Sequence, residues 1–205
     1  MALNQLEVQG RPGSFPTAKG SVDGFSLVSA GHASYLQAVL SGNAYCVGDS
    51  AGGANPSGLS TAPISVCLFN PKGSGVNAVI WYAAISTAVA PAAIQHVWLA
   101  INRDIAAAAV TGTALATKNA LVGNGKAGAV LAFTTATLPA APVVALVVGA
   151  IGTGAITVQM TIPPLGGWLD GALVLAPGGA ISFQFSSISG TAANMASWAW
   201  EEVPI

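Results

Sequence analysis

Charge is what this chain has least of. Asp, Glu, Lys and Arg make up 6% of its 205 residues, against roughly a quarter in an ordinary globular protein. No formally charged side chain lies between Lys126 and Asp170. The six cationic residues, Arg11, Lys19, Lys72, Arg103, Lys118 and Lys126, are far apart in sequence and the net charge is −1. Nucleic-acid recognition needs clustered Lys and Arg, so a nucleic-acid partner is not expected. Net charge away from zero helps hold a monomer in solution. With so little of it, much of the surface is expected to be neutral, small or covered.

Titratable and nucleophilic groups are as scarce. Two cysteines, Cys46 and Cys67, cannot build a disulfide framework. Each sits in an apolar stretch that suits a reduced, buried thiol. His32 and His96 stand in no C-x-x-C or H-x-x-x-H spacing with them, so neither a metal nor a cofactor is expected. Gly48-Asp49-Ser50-Ala51-Gly52-Gly53 resembles the nucleophile loop of trypsin-like serine proteases with an Ala interrupting the spacing. That family places a His far upstream with an Asp between, whereas the one upstream His is His32, eighteen residues before Ser50, and the one acid between them is Asp49, which leaves a strand-joining turn. Gly123-Asn124-Gly125-Lys126-Ala127-Gly128 matches a dinucleotide fingerprint by letter. It lacks the following helix and the acid about twenty residues on, and reads as a hairpin tip. Adjacent strand residues such as Glu201 and Glu202 leave opposite faces, so they cannot act as an acid/base pair. They are expected to fence a terminal strand against edge pairing. His96, alternating with Ile94 and Trp98, reads as a core histidine. No enzyme is expected.

The longest apolar window, Leu138 to Thr157, approaches the ~20 residues of a membrane-spanning helix. Pro139 and Pro142 stand at one end, Gly149, Gly152 and Gly154 interrupt it, and no Lys/Arg cluster flanks it. Those features argue against a membrane span. Residues that follow alternate with period two: Ile156, Val158, Met160 and Ile162 face one way, and Thr157, Gln159 and Thr161 the other. That pattern predicts a strand, with Val143 to Val148 as its partner. No basic stretch followed by an apolar segment opens the sequence, so no secretory signal is expected.

What the chain does have is β-type alternation punctuated by 25 Gly and 12 Pro. Residues 1–24 are polar, lack periodicity and read as an extended N-terminal arm carrying Arg11, Phe15 and Lys19. Residues 25–205 read as one domain. Runs of strand type occupy 32–40, 44–47, 64–69, 76–86, 94–102, 130–134, 143–148, 155–162, 172–175, 181–186 and 196–203. Ile181, Phe183 and Phe185 oppose Ser182, Gln184 and Ser186, one face apolar and the other polar. No amphipathic helix of crossover length separates these runs, which predicts an all-β antiparallel sandwich rather than a parallel α/β sheet. Asp104 to Val122, within a region 104–128 that reads as an inserted loop, is expected to be irregular with at most one helical turn.

Five tryptophans are many for this length. Trp198 and Trp200 share one face of the last run and Trp98 a similar face, which suits a core. Trp168, in a loop from Pro163 to Gly171, is the best candidate for an exposed contact. It also keeps open a carbohydrate- or receptor-binding module of a phage tail or fibre as the alternative function.

Three strings carry a family resemblance. The strand-turn-strand run from Gly171 through Ala176-Pro177-Gly178-Gly179 to Phe183, the ending Ser197-Trp198-Ala199-Trp200-Glu201-Glu202-Val203-Pro204-Ile205, and Leu68-Phe69-Asn70-Pro71-Lys72-Gly73-Ser74-Gly75-Val76 resemble segments of a group of tailed-bacteriophage virion structural proteins. The likeness covers about residues 60–100 and 155–205; the arm and residues 104–140 match no pattern. It implies a jelly-roll-like β-sandwich on the phage head surface, a homotrimer that binds the major capsid protein as a cement or decoration protein. Arg11, Phe15, Lys19 and Trp168 are the expected partner contacts.

Overall fold

The computed structural model describes residues 35–54, 58–63, 65–89, 91, 93–106, 110–152, 165–186 and 193–205, with the short segments 19–20 and 26–27. The chain divides into two units, Met1–Gln37 and Ala38–Ile205. In the first, β1 (Lys19–Gly20) pairs antiparallel with β2 (Ser26–Leu27). A five-residue helix, α1 (Leu36–Leu40), follows. The rest is β: β3 (Ala44–Gly48), β4 (Gly53–Ala54), β5 (Cys67–Asn70), β6 (Val76–Val89), β7 (Gln95–Asn102), β8 (Thr111–Leu115) and β9 (Lys118–Asn119). It continues with β10 (Leu131–Thr137), β11 (Val143–Ile151), β12 (Leu165–Leu175), β13 (Gly179–Phe185) and β14 (Ala193–Pro204).

These strands form two antiparallel sheets packed face to face. One has the order β11-β7-β13-β5-β10-β8, the other β12-β6-β14-β3-β9 with β4 added on β14. The expected all-β sandwich is the fold. Its core is filled by the alternate residues that each sheet turns inward. From β14 these include Ala196, Trp198 and Trp200; from β13, Ile181, Phe183 and Phe185; from β7, Val97 and Leu99. The Trp198 ring lies 4.9 Å from Phe183, and Trp200 stacks on Tyr45 at 6.0 Å. Two polar ties cross between the sheets. Trp198 Nε1 donates to Val66 O at 3.1 Å, and Asn70 Nδ2 at the end of β5 donates at 2.8 Å to both Val76 O and Leu175 O. Each buried donor thereby finds an acceptor, as burial demands.

Several elements depart from the sequence expectations, each for a local reason. Residues 36–40 of the expected strand 32–40 are helical, since Leu36, Val39 and Leu40 recur at helical spacing. Gly42 ends the helix with φ +68. Its N–H bonds Val39 O and the Asn43 N–H bonds Ala38 O, the pairing of a glycine cap. The Asp104–Val122 segment contains β8 and β9 in place of an irregular loop. Its threonines, stiff at χ1, are better accommodated by a strand than by a helix. The polar face expected at Ser182 and Gln184 is buried, because residues 58–63 cover it: Ser60 N donates to Gln184 Oε1 at 3.0 Å and Gln184 Nε2 to Ser60 O at 3.2 Å. A second apolar cluster lies on the same sheet, where Cys67, Phe69 and Ala180 pack with Ile105, Val110, Ala136 and Leu138. The expected strand 155–162, its pairing with 143–148, and His32 lie outside the described residues.

Candidate functional site

The sheets end differently on their two sides. On one side the edges are short and polar: β8 carries Thr111, Gly112 and Thr113, and β9 is two residues including Lys118. On the other side they are long: β11 has nine residues and β12 eleven, and Asp170 is the one formal charge between them. Val143, Val144, Leu146 and Val147 of β11 and Trp168 of β12 are all exposed. An apolar groove of about 310 Å³ opens there, walled by residues 146–148 and 166–169 and floored by Ala83 and Leu99.

Backbone irregularities shape this rim. In β11 the register against β7 slips between Val144 and Leu146 and again between Val147 and Gly149. Such bulges bend an edge strand and re-aim its side chains. In β12 Trp168 pairs with Tyr82 but Leu173 with Ile80. The extra residues include Asp170 and Gly171, both at positive φ (48 and 78). A matching bulge in β6 sits at Trp81, since Ala199 pairs with Tyr82 and Trp200 with Ile80. Gly166, at φ +101, lets β12 lie against β6, because a Cβ there would run into Ala83 O.

Trp168 is 65% exposed and meets Tyr82 edge-on, ring centroids 5.5 Å apart. Its expected exposure is therefore found, but its expected loop is strand: Leu165–Gly171 belongs to β12. Gly166, Gly167 and Gly171 around one aromatic mimic a loop in sequence, while pairing with β6 decides the matter. Of the other expected contacts, Arg11 and Phe15 lie outside the described residues. Lys19 is described through the backbone of β1, where it pairs with Leu27.

The remaining sequence candidates find structural roles. His96 and Ile94 are exposed and Trp98 is half-buried, so their shared face is the outward one. The strand is one residue out of phase with the expectation: Gln95, Val97 and Leu99 point inward. Trp98 accordingly stays outside the core that Trp198 and Trp200 occupy. Glu201 and Glu202 do leave opposite faces, yet they fence no edge, because β14 lies inside its sheet between β6 and β3. Glu202 is buried, and its carboxylate accepts from Ala129 N and Val130 N at 2.9 Å each and from Trp200 Nε1 at 3.4 Å. Glu201, partly desolvated, has its pKa raised by burial.

The 123–128 segment is no hairpin tip. It carries the chain from β9 in one sheet to β10 in the other, and Lys126 Nζ donates to Asn43 Oδ1 at 2.7 Å along the way. Gly128 packs so closely that a Cβ would lie 2.7 Å from Glu202 Oε1. Asp49 Oδ1 accepts from Ala51 N at 2.9 Å, a side-chain-closed turn after β3. Both cysteines are free. Cys67 is buried and its thiol is pushed up to about 12 by desolvation, whereas Cys46 is half-buried. Among the described residues no three His, Cys, Asp or Glu side chains are grouped to hold a metal ion, and no helix is long and apolar enough to cross a membrane.

Among the described residues, what this rim offers chemically is apolar contact area. Comparison with protein-family models, curated proteins and solved structures gives no match for the chain.

Proposed function

We propose that the protein is a non-enzymatic structural component of a tailed-phage virion, a cement or decoration protein that binds the major capsid protein on the head surface as a homotrimer. The observation that carries this reading is the long, nearly charge-free apolar rim formed by β11 and β12. The resemblance of residues 60–100 and 155–205 to virion structural proteins supplies the setting. Such a protein acts by area. Burying apolar surface at about 25 cal/mol per Å² opposes separation of the subunits beneath it, and no reacting group is needed. Exposed apolar rims of this kind mark interaction surfaces.

One observation favours a second reading, a carbohydrate- or receptor-binding module of a tail or fibre. Trp168 and Asp170 are both exposed on β12, and Trp168 meets Tyr82 edge-on; an aromatic two residues from a carboxylate suits a sugar ring. Cosedimentation of the purified protein with intact and decoration-stripped heads separates the two. Saturable binding in multiples of three per capsid position supports cement. Absence from heads, with a signal on a glycan array that Trp168→Ala abolishes, supports the module. Deleting residues 1–20 is expected to leave the folded oligomer intact and weaken head binding; unchanged occupancy would contradict a role for the arm.

A further inference from the structure

We infer that Asn124 is a site of self-catalysed covalent modification, at which the Gly125 backbone nitrogen displaces ammonia from the Asn124 carboxamide and a carboxylate is left in the crossover from β9 to β10. This is independent of the function proposed above. Asn124 is the one asparagine of the chain followed by Gly. The nucleophile is Gly125 N and the electrophile is Asn124 Cγ. As the N–Cγ bond forms, negative charge gathers on Oδ1 and the nitrogen gives up its proton. The Cγ–Nδ2 bond then breaks and the proton leaves in ammonia, closing a five-membered succinimide. Solvent water adds to either ring carbonyl and opens the ring, leaving aspartate or isoaspartate at position 124. Nothing is oxidised or reduced.

The crossover supplies each part of this reaction. Gly125 is exposed, and its N–H makes no hydrogen bond among the described residues. A Cβ built on it meets nothing within 4 Å, so no neighbour shields the nitrogen. Asn124 Oδ1 accepts from Lys126 N at 2.9 Å. That bond folds the carboxamide back toward the Gly125–Lys126 peptide. It also sets a donor on the oxygen where charge develops, as an oxyanion hole does, and a hydrogen bond strengthens when its acceptor becomes charged. The leaving nitrogen is unrestrained: Nδ2 forms no hydrogen bond and lies against Gly42, where an added Cβ would come within 2.6 Å. The Asn124 backbone is meanwhile held by its own N–H on Leu121 O at 2.9 Å.

Other asparagines show what is missing elsewhere. Asn119 makes the same kind of turn, its Oδ1 accepting from Leu121 N at 2.9 Å. It is buried, though, its Nδ2 is bonded to Gly42 O, and the Ala120 N–H that would attack is committed to Ala44 O at 2.8 Å. Asn70 is followed by Pro71, which has no N–H to lose. Asn77 and Asn194 are followed by Ala78 and Met195, both paired in the ladder between β6 and β14.

The full chain, incubated at neutral pH and physiological temperature, reads this out by isoelectric focusing and peptide mapping. Each event turns a neutral amide into a carboxylate and takes the net charge from −1 to −2. An acidic isoform is expected to accumulate, with the mass gain of an amide-to-acid exchange confined to the peptide that holds position 124. Gly125→Pro removes the attacking N–H and should stop it. Lys126→Pro keeps the Asn-Gly pair but removes the donor on Oδ1, and should slow the folded chain by about tenfold or more. Lys126→Ala retains that N–H and should leave the rate as it is. In urea, where the turn is gone, Lys126→Pro and wild type should react alike, and folded wild type should react at least as fast as its unfolded form. Modification arising first at another asparagine, a folded wild type slower than the unfolded chain, or a folded Lys126→Pro chain reacting at the wild-type rate would overturn the inference.

Discussion

Replacing Glu202 by Gln changes one atom's chemistry in a side chain that holds the crossover between the sheets. The carboxylate receives two backbone N–H groups, from Ala129 and Val130, and the Trp200 indole. A Gln oxygen can keep one of the backbone bonds. Its NH2 then faces the other N–H, and no rotation cures this because both partners are donors. A hydrogen bond to a charged acceptor contributes about 1.5–3 kcal/mol, and a buried donor left unpaired costs a further ~1–3. Relief from burying a charge offsets part of the loss, so the net expectation is a destabilisation of about 2–4 kcal/mol. For a domain of this size that lowers the melting temperature by about 5–15 °C. Thermal denaturation followed by tryptophan fluorescence reads it directly, since Trp200 is one of the bonded partners. Glu201→Gln, on the half-exposed opposite face, should move the transition by less than about 2 °C. Equal, small shifts in both variants would refute the view that Glu202 clasps residues 128–130 to β14.

Asn70→Ala removes the amide that bridges Val76 O and Leu175 O; Val76 O keeps Ser74 Oγ as a donor at 3.3 Å, so the buried Leu175 O carries the loss, which should cost about 1–3 kcal/mol in urea denaturation. Gly166→Ala places a Cβ against Ala83 O at a positive φ; a loss of more than about 2 kcal/mol is expected, with β12 amides exchanging faster while β14 stays protected. Cys67 governs an alkaline effect. Its folded pKa of about 12 lies above its ordinary 9.0, so from pH 9 upward the unfolded chain releases a proton that the folded one retains. Stability should therefore fall with rising pH between those values, by at most ~1.4 kcal/mol per pH unit from this group. Tyr45, also raised, chiefly by burial and then by the Glu202 charge, adds a slope of the same sign at higher pH. Cys67→Ala should flatten the Cys67 part, and an unchanged pH profile would contradict it.

Sandwich class was legible because Ile181, Phe183 and Phe185 alternate cleanly and no crossover helix intervenes. Burial of Trp198 and Trp200 followed from their two-residue spacing. Phase was harder. His96 and Trp98 alternate as regularly as Gln95, Val97 and Leu99, and only packing against the second sheet tells which set turns inward. Polar Gln95 and Gln184 are fully buried, which composition argues against; Gln184 gains its place through backbone bonds from Ser60, sequence-distant and invisible to periodicity. Glu202 was misread for a related reason. Its partners, Ala129 and Val130, are more than seventy residues away, and the final segment of a chain need not be the edge of a sheet. The rim was partly legible: Trp168 stood out as an aromatic among glycines. The run Val143–Val148 signalled a strand, but its place at an edge depends on strand order, which no local pattern encodes.

The central claim is that this protein works by covering and holding a surface. Its most direct test is the temperature at which phage heads release their genome, measured on stripped heads before and after saturation with the purified protein. Stabilisation by several degrees on saturation, reversed when the protein is removed, is the predicted result. Heads that bind the protein yet open at the unchanged temperature would contradict it.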